Sequence, residues 1–158
     1  MRSFRVGDYL TQQKLITLEQ YAQILSEQEK PEHAGKSFLE TAVTLGFVPE
    51  VKTIRKIAAE LRIPYMPLEN IPIDRDAVFL IPEKTARQYH LIAIGISGRR
   101  LITAICDPES FPILDTIGME TGFDIMPVLT ESSAIQRTID EMYDKDYDNK
   151  HFPEIFSD

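Results

Sequence analysis

Two helical hairpins near the N-terminus constrain the fold of this chain more than any other feature. Residues 5–28, RVGDYLTQQKLITLEQYAQILSEQ, read as a short helix, a turn and a longer helix. Val6, Tyr9 and Leu10 fall at i, i+3 and i+4 on one side of the first helix. Leu15-Ile16 is an apolar pair that turns the chain. Thr17 is placed to cap the second helix, with Gln20 three residues on to complete a capping box. Behind it, Leu18, Tyr21, Ala22 and Leu25 form a stripe at helical spacing.

The pattern recurs at residues 37–60, SFLETAVTLGFVPEVKTIRKIAAE. Phe38, Leu39, Ala42 and Leu45 give a third apolar face, and Gly46 suits the position just past a helix end. Phe47-Val48 corresponds to Leu15-Ile16, and Ile57 to Leu25. Pro49 suits a first helical position, and Val51, Ile54, Ala58 and Leu61 give a fourth stripe. Each hairpin has one apolar side, so two stacked pairs can share a core. The expectation is a four-helix subdomain over residues 1–62.

Beyond it the period changes. Ile63-Pro64-Tyr65-Met66-Pro67-Leu68 reads as an extended crossing segment enforced by two prolines. Asp74 or Asp76 caps the next segment, and Pro82 opens a helix over PEKTARQYH. LIAIGI, a turn at SGR and RLITAIC then read as a β-hairpin. Asp107-Pro108 stops it, residues 111–121 are helical, and Gly122 ends them. FDIMPVLT is a third strand, with Pro127 suggesting an edge or a bulge. Residues 132–143 close as an amphipathic helix. Residues 63–143 are therefore expected as a small α-β-β-α-β-α sandwich with helices on one face, and the whole chain as α+β. Residues 144–158 read as an acidic flexible tail, in which Phe152, Ile155 and Phe156 offer an alternative docking element.

Composition narrows the function classes. A net charge of −8 opposes non-specific nucleic-acid binding. The charge is uneven: residues 1–62 carry nine Lys/Arg against eight Asp/Glu, and residues 63–158 carry eight against seventeen. An anionic ligand is thus better received on the N-terminal part. The runs VFLI and LIAI are too short to cross a bilayer, and no secretory signal follows Met1. Direct membrane insertion is not expected, and the cytoplasm is the expected compartment. Cys106 is the single cysteine, which excludes an internal disulfide, and it reads as a buried small hydrophobe. His33, His90 and His151 lie beside no Cys, Asp or Glu at ligand spacing along the chain, so no metal site is expected. Gly35-Lys36-Ser37 resembles the end of a phosphate-binding loop, but Lys30 stands where its first glycine belongs. Asp107-Pro108-Glu109 reads as an ordinary turn. No catalytic set is present, and an enzyme is not expected.

Arg5, Gly7 and Gln28 leave two readings open. They are exposed polar residues at helix ends, or they meet a ligand. Arg presents a donor fork suited to phosphate or a guanine edge. Gln can pair with a base through donor and acceptor together, and Gly7 lets a planar group approach the backbone.

The motif itself resembles a known family. Arg5, Gly7, Leu10, Leu15, Ile16, Leu25 and Gln28 match the 24-residue motif of the MshEN-type domain, the N-terminal domain of type II secretion and type IV pilus assembly ATPases. Val6 is a conservative change, and Lys14 replaces the motif's second glycine. The resemblance continues through IPY, the IPE…AR.Y helix and the strand ending in Asp107-Pro108, and covers about residues 4–143. It implies a non-catalytic regulatory or docking domain without its ATPase, either free-standing or excised. The implied partner is the cytoplasmic domain of an inner-membrane platform protein or an assembly ATPase. The alternative it implies is a cyclic di-GMP receptor needing no other cofactor. The implied ligand-binding positions are Arg5, Val6, Gly7, Leu10, Leu15, Ile16, Leu25, Gln28, Phe38 and Gly46. The second motif is degenerate: Ser37 replaces Arg, Leu39 replaces Gly and Glu60 replaces Gln, and a Glu60 carboxylate facing an anionic ligand is expected to weaken binding.

Overall fold

The computed structural model describes residues 4–143; the tail reading at 144–158 lies outside them. The first hairpin is α1 (Val6–Gln12) and α2 (Leu18–Gln28), and the second is α3 (Phe38–Thr44) and α4 (Glu50–Leu61). The predicted capping box at α2 is complete. Thr17 Oγ1 accepts from Gln20 N at 3.1 Å, and Gln20 Oε1 accepts from Thr17 N at 2.9 Å. Ser37 caps α3 in a simpler way, its Oγ accepting from Glu40 N at 3.1 Å.

The buried face of α2 differs from the sequence reading. In α2, Leu18 and Leu25 are exposed, as is Ala22, and the buried residue is Ile24. The helix is rolled so that Tyr21 and Gln28, which flank Ile24 at i−3 and i+4, turn inward. α2 carries two overlapping apolar stripes, and packing against the neighbouring helix decides between them. In α4 the expected Ile54 and Ala58 are buried and Leu61 packs against the core, with Thr53 and Ile57 buried beside them, and Val51 is the one expected residue left exposed.

Residues 63–68 cross to the sheet as expected. Leu129 N donates to Pro64 O at 2.8 Å and Met66 N to Leu129 O at 2.9 Å, so the crossing segment caps one end of the last strand. Arg55 of α4 lies over the Tyr65 ring, 4.9 Å from its centroid, and the Tyr65 hydroxyl donates to Glu131. Two short helices follow, α5 (Arg75–Val78) and α6 (Glu83–Tyr89).

The sheet comprises β1 (Leu91–Ser97), β2 (Arg100–Ile105) and β3 (Asp124–Leu129) in the order β1-β2-β3. β1 and β2 are antiparallel, and α7 (Phe111–Thr121) carries the chain over to β3, which runs parallel to β2. Asp124 N and Thr130 N both donate toward β2. By alternation the nitrogen of Pro127 points to the outer edge, where a missing N–H breaks no ladder bond. α8 (Ser132–Met142) completes the α-β-β-α-β-α order. Helices are not confined to one face, however. Leu91, Ile92, Ala93 and Ile94 are all buried, which a strand with one solvated face cannot achieve. One core cluster runs from Val6 in α1 to Tyr143 after α8. The Tyr143 hydroxyl sits between the carbonyls of Ile81 at 2.6 Å and Val78 at 3.0 Å, fixing the end of α8 to the α5–α6 connection.

Candidate functional site

A cavity of about 290 Å³ opens where the two hairpins meet the end of β2. It is lined by Arg5, Gly7, Tyr21, Leu25, Gln28, Ser37, Phe38, Asp107 and Glu109. Its floor is aromatic. Tyr21 and Phe38 pack with ring centroids 5.1 Å apart and planes tilted by 51°. Gly7 makes that floor possible, because a Cβ there would lie 2.4 Å from Tyr21 Cε2 and 3.0 Å from Phe38 Cζ. The close approach foreseen at Gly7 is thus occupied by the chain's own rings.

The rim is polar. Arg5 is the residue before α1, mostly exposed, and its Nε lies 3.9 Å from Asp8 Oδ2, too far and too solvated to hold it firmly. Gln28 Nε2 donates to Lys36 O at 3.3 Å, which ties the end of α2 to the linker. Asp107 and Glu109 enter from the turn after β2. Asp107 Oδ1 accepts from Glu109 N at 2.9 Å, and Ser110 Oγ donates to Asp107 O at 2.6 Å, so the turn is rigid. Burial pushes the Asp107 carboxyl above the usual range, with the Glu109 backbone N–H opposing. Glu109 is raised by burial and then by Asp107, while Arg5 pulls it down. One guanidinium therefore faces two carboxylates across an aromatic floor.

Arg5, Gly7, Leu25, Gln28 and Phe38 are the candidates that reach this groove. Val6, Leu10 and Ile16 lie in the core instead, and Leu15 packs against it. Gly46 stands in the α3–α4 turn at φ 78° and serves the backbone. Glu60, on the last turn of α4, is exposed and absent from the groove lining. Its charge is felt at Tyr9, whose hydroxyl is raised by burial and then by Glu60. The acids that line the groove are Asp107 and Glu109, which sequence reading took for a turn. Asp107 is a turn residue, but the end of a strand brings it beside a hairpin about a hundred residues earlier. No local pattern reports that.

The fold and groove define a two-hairpin module packed on a small sheet, and comparison with known proteins places it. The MshEN domain family matches residues 61–147, more than half of the chain, and the chain belongs to that family. The type IV pilus assembly ATPase PilB of Myxococcus xanthus is 26% identical over 141 residues, covering 89% of this chain and 24% of that protein. PilB of Thermus thermophilus is 26% identical over 121 residues, covering 73% and 14%. The chain thus spans a quarter or less of the curated relatives it matches. Among solved structures, MshE with cdg (cyclic di-GMP) matches at TM-score 0.68 and 27% identity, covering 89% of this chain and 99% of that one. The N-terminal domain of XpsE matches in fold at TM-score 0.63 and 19% identity, covering 89% and 96%. Among the described residues, no helix is long and apolar enough to cross a membrane.

Proposed function

We propose that this chain is a non-catalytic regulatory and docking domain of a type II secretion or type IV pilus assembly system, with cyclic di-GMP as the ligand of its groove. The observation that carries the ligand assignment is the convergence of Arg5, Gln28 and Asp107 on one aromatic-floored cavity. A purine can stack on one of the two tilted rings and meet the edge of the other. A guanine edge offers N–H donors that a carboxylate accepts, beside acceptors that Arg or Gln can meet. The cavity lies just below the roughly 300–1,000 Å³ of drug-sized sites. It suits one base of a cyclic dinucleotide, with the remainder lying across the open rim. The similarity to MshE solved with cyclic di-GMP supports the same ligand class.

The degenerate second motif weakens this site less than its sequence suggests. Of its three changes, only Ser37 lines the groove; Leu39 is buried in the core and Glu60 lies elsewhere. One missing charged hydrogen bond costs about 1.5–3 kcal/mol, or roughly ten- to a hundredfold in affinity. Calorimetric titration of the full chain with cyclic di-GMP at low salt is expected to show one-to-one binding at micromolar strength. Arg5→Ala and Asp107→Ala should each weaken it roughly ten- to a hundredfold while leaving the fold intact. Binding that both variants retain at wild-type strength would place the ligand elsewhere, and no binding at millimolar ligand would remove it as the regulator.

The docking reading rests on the PilB relatives, which are assembly ATPases. In it, residues 1–62 form the ligand-sensing subdomain and residues 63–143 face the partner, the cytoplasmic domain of a platform protein or an assembly ATPase. Retention of that platform domain by the immobilised chain at physiological salt is the expected outcome; failure to retain either partner counts against docking.

A further inference from the structure

Outside the groove, three side chains from distant parts of the sequence gather at the open end of the β-hairpin. Their ligand atoms, Glu40 carboxylate oxygen, a His90 ring nitrogen and Cys106 Sγ, lie within 4.8 Å of one another. The sheet register explains the pairing. Leu91 pairs with Ile105, so the residues just outside them, His90 and Cys106, face each other across the hairpin end. Glu40 reaches the same point from the first turn of α3. The histidine and cysteine are sixteen residues apart, so the absence of ligand spacing along the chain did not reveal the cluster.

The hydrogen bonds around His90 determine which nitrogen is available. Arg87 Nη1 donates to Asp140 Oδ1 at 2.9 Å, and Gln136 Nε2 donates to the same oxygen at 3.1 Å. That fixes the Gln136 amide, and its Oε1 faces His90 Nε2 at 3.1 Å. An amide oxygen can only accept, so Nε2 carries the hydrogen. Nδ1 faces Glu40 Oε1 at 3.4 Å, and the hydrogen bond to that carboxylate raises the His90 pKa, so a cation between the two groups is favoured. A divalent ion can take the place of that proton. A tetrahedral ion with bonds of about 2.0–2.1 Å to nitrogen and oxygen holds them roughly 3.3–3.4 Å apart.

We propose that Glu40, His90 and Cys106 bind a divalent transition-metal ion of the zinc class. The mixed oxygen, imidazole and thiol donors suit a borderline-soft ion and exclude magnesium or calcium. His90 has the outer partner that metal-bound histidines have, a hydrogen bond that fixes the tautomer. It closes α6 as a left-handed residue at φ 49°, which sets the ring at the hairpin end. The Cys106 thiol donates to His90 O at 3.6 Å. On metal binding the S–H bond breaks, sulfur keeps the electron pair for the ion, and the proton leaves to solvent. The Glu40 and His90 side chains retain 17% and 29% exposure, which admits the ion and a water as fourth ligand. The bound ion ties α3, whose start carries Ser37 and Phe38 into the groove, to the sheet. It does not depend on what the groove binds.

The test uses the full chain stripped with a chelator, then titrated with cobalt(II) and competed with zinc(II). The expected result is one tightly held cobalt with a near-ultraviolet thiolate-to-metal absorption that zinc removes. Cys106→Ser should abolish that absorption, and His90→Gln and Gln136→Ala should weaken binding by at least tenfold. A second group of Glu27, Glu32 and His33 could hold an ion adventitiously; His33→Gln should leave the cobalt signal unchanged. The proposal fails if wild-type chain takes up cobalt without the thiolate absorption, if Cys106→Ser keeps it, or if only His33→Gln reduces uptake. It fails equally if nitrogen NMR finds hydrogens on both His90 nitrogens and zinc leaves them in place.

Discussion

Residues 6–28 and 38–61 follow the same two-helix path, offset by 32 residues. α1 Val6–Gln12 superposes in sequence on α3 Phe38–Thr44, and both α2 and α4 begin at the matching positions Leu18 and Glu50. The turn bonds repeat as well. Leu15 N donates to Leu10 O at 2.9 Å, as Phe47 N does to Ala42 O at 3.0 Å, and Lys14 N to Thr11 O as Gly46 N to Val43 O. What differs is the side chains, and they divide the labour. The first unit gives Arg5, Gly7, Tyr21, Leu25 and Gln28 to the groove, whereas the second gives only Ser37 and Phe38. A duplicated backbone can keep one copy for binding and turn the other toward packing, because the turn geometry that sets the path does not depend on either face.

Position three of each unit is where the two roles part most sharply. It is Gly7 in one and Leu39, 3% exposed, in the other. Leu39→Ala leaves a cavity and is expected to cost about 2–5 kcal/mol, read as a drop in the urea midpoint. Gly7→Ala pushes a methyl into Tyr21 and Phe38 and should cost less, about 1–3 kcal/mol, while displacing the aromatic floor and weakening groove binding. If Gly7→Ala left both stability and the Tyr21–Phe38 contact unchanged, the division between the units would not hold.

The same pair of positions shows what could be read from sequence. The helix ends, the capping box at Thr17, the left-handed Gly46 and the outward Pro127 were all legible, since each depends on a few neighbouring atoms. Which stripe of α2 goes inward was not, whereas that of α4 was, apart from Val51. Leu18 and Ile24 are equally apolar, and the choice follows from Tyr21 reaching over Gly7 to Phe38 in another helix. Asp107 and the Glu40, His90 and Cys106 cluster were hidden for the same reason, since strand register and crossing segments bring them together over long separations.

Position one contrasts a groove-lining charge with a structural cap. Ser37 holds the first turn of α3 through Glu40 N, whereas Arg5 makes no side-chain cap on α1. Ser37→Ala should therefore cost about 1 kcal/mol. Arg5→Ala should change stability by less than about 0.5 kcal/mol, as for surface sites, and register only in ligand titration. Equal thermal shifts for the two variants would mean that Arg5 also supports the hairpin.

Position ten carries the smallest and cleanest test. Lys14 at φ 59° and Gly46 at φ 78° occupy the same left-handed turn. A Cβ in that region crowds the following carbonyl and costs about 1–2 kcal/mol. Folding of the glycine variant also loses more backbone freedom, offsetting about 0.5–1 kcal/mol. Lys14→Gly is therefore expected to stabilise the chain by up to about 1 kcal/mol, and Gly46→Lys to destabilise it by a similar amount. Neither change touches the groove lining, so both should leave ligand affinity where it was. A loss of affinity in Lys14→Gly would show that the turn and the groove are coupled, and that the backbone of the first unit is itself part of the binding apparatus.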